Sequence, residues 1–423
     1  MSGQKKLRVG LFAFGTDGDI QPLIELALNL FRRGHSIELA IICLRNRDYS
    51  HLQNQDFNVH VIPYPKTNAM DEFSNKEFWN FSDTELSRYF DTQFNVVRNT
   101  IRRLANLLAK RVDLLISIRL MYPVRFSAEQ QGIPYVCLHF AHSFIKSRHY
   151  PPFGSDDLGP DKNMAAWLAT DSYTNQALLP GFNKFREFYT LEPCTDFYTQ
   201  VHHSSELNLV AFSRHLLPHD LDWEKNFHLC GYFNRGDESP LSASDVAIHE
   251  FIDQGSNVVG VTFGSLLEYE SAPAEFLNKI AQAFRAQRAR AVILTNKDYG
   301  LVSDEYVLFA TGYINHRALF RRCSFVVHHG GAGTTHVVAA CGVPSLLVPY
   351  GFDQFSIGAL LIKLGVCHGI MSRKDFTVEE FSQLLKKALL NPSLDDRAKQ
   401  LGNHMSTDQG IKRAADLIEE KYA

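Results

Sequence analysis

Asp17 and Asp19 flank Gly18 in the stretch FGTDGDIQPLIELALNLFRRGH, Phe14 to His35, directly after an apolar run. Three chemistries fit such a stretch. A glycine turn can cradle a phosphate, a D-x-D pair can hold a metal, and one acid at a helix start can take a proton. A second concentration is FVVHHGGAGTTHVVAACGVP, where an apolar strand runs into His328, His329, Gly330, Gly331, Ala332, Gly333, Thr334 and Thr335. Glycines let backbone N–H groups approach a ligand, and a helix N-terminus adds about half a positive charge. That combination is an anion site that needs neither metal nor lysine. No G-K-[ST] follows, so it is not a Walker loop. It is not read as a dinucleotide fingerprint either.

Other strand ends carry polar residues. VPYGFDQ ends in Asp353 and Gln354, an acid and an amide suited to bidentate bonding of sugar hydroxyls. TFGSL ends in Gly264 and Ser265, and TGYINH brings Tyr313, Ile314 and His316 before a helix, where a base can stack or read the backbone. LHFAHSFIKSRHYPPF puts His139, His142 and Ser143 at the end of another strand, either as cleft lining or as structural residues. The aromatic segment 73–95, with Phe78 and Trp79, reads either as core or as the wall of an apolar acceptor site.

These residues need a scaffold, and the apolar runs supply it. LRVGLFAF, SIELAIIC, FNVHVIPY, VDLLISI, PYVCLHF and LNLVAFS read as strands of a parallel sheet buried on both faces. After the GTDGD turn, Leu23, Leu26, Ala27, Leu30 and Phe31 recur at helical spacing, with Pro22 suited to the first turn and Gly34 to the stop. Residues 217–245 mix proline, glycine, serine and charge in the manner of an interdomain linker. A second series follows: NVVGVTFGS, RAVILTN, EYVLFATGYI, CSFVVHHGG and PSLLVPYG, with helices between. The expected fold is α/β, two doubly wound Rossmann-like domains facing across a cleft. The expected divisions are 1–230, 231–405 and a C-terminal helix at 406–423 that crosses back onto the first domain.

Composition narrows the partners. The 423 residues carry 43 lysines and arginines against 46 acids, a net charge of −3, with no basic run to suit nucleic acid. Seven scattered cysteines form no CxxC pair, which suits reduced thiols in the cytoplasm. No stretch approaches the roughly 20 apolar residues of a membrane span. Peripheral contact with a membrane stays open.

In this order, GTDGDIQPLIELALNLFRRGH and TFGSL…GYINHRALFRRCSFVVHHGGAGTTHVVAACGVPSLLVPYGFDQ resemble the GT-B-fold glycosyltransferases of the UDP-glycosyltransferase superfamily, over essentially the whole chain. The likeness is to the branch acting on sterols, lipids, rhamnolipid precursors and antibiotic aglycones. The resemblance implies inverting transfer of a hexose, with glucose favoured, from a UDP-sugar to a hydroxyl of an apolar acceptor. It implies that His329, with His328 beside it, and the loop Gly330, Gly331, Ala332, Gly333, Thr334 hold the diphosphate. Ser265 would touch the phosphates, Tyr313 and Ile314 the base, Asp353 and Gln354 the sugar, with Thr16 and Gly18 also on the donor side. Asp19 would be the general base, its alternative being a helix-capping acid, and Asp17 would be structural. No metal and no cofactor beyond the UDP-sugar co-substrate is expected.

Four other readings compete. A dTDP-deoxysugar transferase differs only in its donor. A nucleotide-sugar epimerase would use the same fold without an apolar acceptor cleft. A dinucleotide-dependent oxidoreductase would need a glycine fingerprint that FGTDGD lacks. A silent binding module would be expected to lose Asp19 or the Asp353–Gln354 pair, and both are present.

Overall fold

The computed structural model describes residues 5–44, 48–53, 55–64, 83–119, 121–217, 219–233, 243–312, 314–351 and 353–423. Its frame is two sheets. The first holds β1 (Arg8–Gly15), β2 (Ser36–Cys43), β3 (Asn58–Val61), β4 (Leu114–Ile118), β5 (Tyr135–His139), β6 (Leu207–Val210) and β7 (Phe227–Leu229), in the order β3-β2-β1-β4-β5-β6-β7. The second holds β8 (Val259–Thr262), β9 (Ala291–Thr295), β10 (Val307–Thr311), β11 (Val326–His328), β12 (Ser345–Leu347) and β13 (Cys367–Ile370), in the order β10-β9-β8-β11-β12-β13. All pairings are parallel. This is the expected α/β architecture. Strand order reverses between β1 and β4 in one sheet and between β8 and β11 in the other. Such reversals open a crevice at the carboxyl ends of the strands.

The strands form because their runs are apolar on both faces: β1 and β2 each bury nearly every residue. β2 matches the run SIELAIIC residue for residue. Helix α1 (Asp17–Arg32) departs from expectation. It begins at Asp17, so GTDGD is not a free turn and Pro22 sits in the second turn. Asp19 reaches back to the N-cap Thr16 and closes that end, while Ile20, Leu23, Ile24, Ala27 and Leu30 bury one stripe. A second departure lies at 217–245, which is not linker throughout. It contains β7, a three-residue edge strand bonded to β6. So short a strand leaves no readable periodicity.

Contacts outside the sheets tie the two halves together. The Ser213 N–H donates to Nε2 of His336 (2.9 Å), and Nδ1 of His336 faces the Ala332 carbonyl (2.6 Å). The proton is therefore on Nδ1. Tyr232 stacks flat on that imidazole at 4.5 Å. The helix Gly410–Tyr422 lies against α1, where Arg33 bonds Asp416 (2.7 Å) and Glu419 (2.6 Å) and His35 bonds Glu419 (2.8 Å). All seven cysteines are free, and Cys43, Cys137, Cys194, Cys230 and Cys367 are buried. No described helix is long and apolar enough to cross a membrane.

Candidate active site

β1 ends in Gly15 at φ 132°, a conformation other residues rarely adopt, and the chain turns there into α1. A side chain on Gly15 would also strike the Asp19 carboxylate. Oδ2 of Asp19 accepts the Thr16 backbone N–H (3.0 Å) and the Thr16 hydroxyl (3.2 Å). Oδ1 accepts nothing among the described residues. Burial pushes the Asp19 carboxyl above its ordinary value, opposed by the two Thr16 bonds and by Arg119.

Across the crevice, β11 runs into the glycine loop. Gly331 is the N-cap of the helix Ala332–Ala340, and glycine has no side chain with which to cap it. The first helical bond is made by the Thr335 N–H to the Gly331 carbonyl (2.9 Å). The N–H groups of Ala332, Gly333 and Thr334 precede it and are open to an anion. His329 stands beside them, and its Nδ1 has no partner among the described residues. Burial lowers its pKa to about 4, so the ring is neutral at pH 7. Glycines make room for this ring. A Cβ on Gly264 would come within 3.2 Å of Cε1, and one on Gly331 would collide with Nε2.

β12 leads to Asp353, the N-cap of the helix Gln354–Leu364, whose carboxylate makes no capping bond. Burial raises its pKa to about 6. Arg119 opposes that rise and Asp19 adds to it. The Gln354 oxygen accepts the N–H groups of Tyr350 (2.8 Å) and Gly351 (3.4 Å), which fixes the turn and leaves the NH₂ end as donor. The acid on α1 and the acid after β12 therefore feel each other across one crevice. A half-buried acid on one wall faces an uncapped helix end and a second half-buried acid on the other. That arrangement suits displacement of a phosphate leaving group from a polyol.

Residues 305–419 match the model of the C-terminal domain of erythromycin biosynthesis protein CIII-like proteins. The chain is 32% identical to the vancomycin aglycone glucosyltransferase of Amycolatopsis orientalis over 303 residues, 70% of each chain. The chain belongs to the GT-B glycosyltransferases of the UDP-glycosyltransferase superfamily. Glycosyltransferase GtfE of the same organism is 28% identical over 97% of both chains. The sterol 3-beta-glucosyltransferase UGT80B1 of Arabidopsis thaliana is 23% identical over 98% of this chain and 68% of its own. In fold, the glycosyltransferase of kitacinnamycin superposes with a TM-score of 0.69 at 19% identity, covering 99% of this chain and all of its own.

The enzyme brings Asp19, Ser265, His329, Gly331, Ala332, Gly333, Thr334, Asp353 and Gln354 to the carboxyl ends of the strands at one crevice. Thr16 spends its N–H and hydroxyl on Asp19, and Gly18 is exposed in the first turn of α1. His328 is a correction. It is 0% exposed, Nε2 pairs with the Ser345 hydroxyl (2.9 Å) and Nδ1 accepts the Gly330 N–H (3.1 Å), so no nitrogen is left for a phosphate. Strand alternation turns it inward and its neighbour outward. His139, His142 and Ser143 are corrections of another kind. They are at most 2% exposed and lie beneath the crevice wall rather than on it. Burial takes His139 down to about 3 and His142 to about 4. Ile314 buries its side chain in an apolar cluster with Ile248 and Phe320, so only its backbone can meet a base. Tyr313, Phe78 and Trp79 lie outside the described residues. Arg119 and Phe144 were missed. The signal for Arg119 was a cation one residue past an apolar strand at the point of strand-order reversal.

Proposed function

We propose that the enzyme transfers a hexose, glucose foremost, from a UDP-sugar to a hydroxyl of an apolar small molecule or lipid, with inversion and with Asp19 as base. The observation that carries this reading is Asp19 itself, an acid with one uncommitted oxygen, coupled to Asp353 across a crevice that also holds an open helix end. Glucose is favoured because the vancomycin-aglycone and sterol relatives are both glucosyltransferases. An apolar acceptor is favoured by Phe144 stacked on the exposed Phe153 at 5.3 Å. The setting is the cytoplasm. The epimerase alternative loses its ground with membership in a transferase family.

In this mechanism the acceptor oxygen attacks the anomeric carbon as the bond from that carbon to the phosphate oxygen breaks. An alkyl hydroxyl titrates far above a carboxylate at about 4, so the proton passes to Oδ1 of Asp19 as the new bond forms. The raised pKa of Asp19 makes it the stronger base. UDP leaves with the bonding electrons. The open N–H groups of Ala332 to Thr334 and Nδ1 of His329 take up its charge.

Thermal shift with UDP-glucose and dTDP-glucose tests the donor. A ligand at 100 times its Kd adds about 2.7 kcal/mol of stability, enough to move Tm measurably. UDP-glucose is expected to raise Tm more than dTDP-glucose; the reverse order selects the dTDP reading, and no shift with any nucleotide sugar sinks the proposal. EDTA is expected to leave both the shift and turnover unchanged, because the charge is met by backbone and imidazole donors. A second prediction concerns Gly331→Ala. At φ −62° alanine is unstrained there, but its methyl displaces His329. Loss of one hydrogen bond to a charged group costs about 1.5–3 kcal/mol, so UDP-glucose should bind roughly 10–100-fold more weakly by calorimetry. Unchanged affinity would remove His329 from the donor site.

A further inference from the structure

Arg119 follows β4 directly, at the reversal of strand order. The register pairs Phe12 with Ser117, which brings Arg119 level with Phe14, at the turn into Asp19. Its guanidinium carbon lies 3.5 Å from the centroid of the Phe144 ring, a close cation–π seat. Phe144 is in turn stacked on Phe153. The plane of the guanidinium is thus held while its N–H edge is not. Arg119 makes no hydrogen bond to any described residue. That is unusual for a half-buried arginine, which presents five donors in a fixed fork.

The charges around it are unbalanced toward acid. Burial is the largest effect on Arg119 and lowers its pKa, opposed in turn by Asp353, Cys137 from β5, Asp19 from α1 and Tyr198. His139, His202 and His203 also face it, and burial holds all three neutral. Asp17 faces Asp19. Two carboxylates from opposite halves of the enzyme therefore share one cation that is bonded to neither. An anionic acceptor group is a poorer occupant for the fork, because it would meet both carboxylates.

We propose that Arg119 is a positioning residue, the shared counter-charge that keeps Asp19 and Asp353 ionised together and ties the proton-accepting wall to the sugar-binding wall. This rests on the roles given above to those two acids. Without the cation, two half-buried carboxylates facing one crevice disfavour each other's charge near neutral pH.

The test compares Arg119→Gln, Arg119→Met and Arg119→Lys by pH–rate profiles and by carbon NMR titration of the aspartate carboxyls in the free enzyme. Loss of an opposite charge within about 4–6 Å moves a carboxyl by about one unit or more. The acid limb of kcat/KM is expected to move up by that amount in the Gln and Met variants, with a larger loss of rate at pH 6 than at pH 8. Lysine keeps the charge and should leave the limb near its wild-type position. Methionine keeps the stem on Phe144, so equal behaviour of Gln and Met separates charge from packing. A limb that does not move in either neutral variant, or a lysine variant as shifted as glutamine, overturns the proposal. The titrations need no turnover. A failure of Asp19 as base would therefore leave the carboxyl shifts to decide the role of Arg119 on their own.

Discussion

Replacing Asp19 with asparagine is expected to lower turnover about 10²–10⁴-fold, the usual worth of a positioned base, while UDP-glucose binding holds. The substitution separates two functions of one side chain. Asparagine keeps an oxygen that can accept the Thr16 N–H, so the first turn of α1 stays closed. It loses only the capacity to take a proton. Stability should not fall. The pKa of Asp19 is raised in the folded state by burial, so its contribution is present below the unfolded value and lost as pH rises through the folded one. At neutral pH the ionised acid is a cost, and asparagine removes it. An inactive variant with an unchanged or higher Tm therefore reports chemistry, not folding. Near-normal turnover in Asp19→Asn would take Asp19 out of the base role and leave it a capping residue.

What the sequence makes legible follows physical rules. Strands buried on both faces read as unbroken apolar runs, which is why SIELAIIC coincides with β2 and two doubly wound halves could be anticipated. The glycine loop was legible as a strand-to-helix turn with an open helix end, because small residues in that place leave the first N–H groups uncapped. The start of α1 was hidden, because Gly18 and Pro22 are weak helix formers and outweigh, in the sequence, the local capping box by which Asp19 bonds back to Thr16. The split between His328 and His329 was available from strand alternation alone, yet adjacency made them look like one unit. Arg119 was out of reach for a different reason. Its meaning lies in Asp19 and Asp353, distant in the chain on either side of it, and in a ring, Phe144, that arrives from the loop after β5. Charge sharing across a crevice has no local pattern.

Asp353→Asn should make the enzyme more stable and worse at binding its donor. The carboxyl has an ordinary value of 3.8 and is pushed up to about 6 by burial. Folding therefore favours its neutral form, and the cost of the charged form grows as pH rises from about 4 through 6. A rise of this size corresponds to about 1–3 kcal/mol at pH 7 once partial solvent screening is allowed for. Asparagine abolishes that cost, so Tm should rise by a few degrees at pH 7 and change little at pH 4. Donor binding should move the opposite way. A carboxylate accepting two sugar hydroxyls loses about 1.5–3 kcal/mol when its charge is removed, roughly 10–100-fold in Kd for UDP-glucose. In the wild-type enzyme the same ionisation should make donor affinity rise and stability fall through one pH region near 6. In Asp353→Asn both dependences should flatten together. If affinity keeps its pH dependence in the variant, another group reads the sugar. If the stability curve keeps its slope, the buried charge lies elsewhere. The two curves share an origin because the site holds a charge that the fold, left to its own energetics, would neutralise.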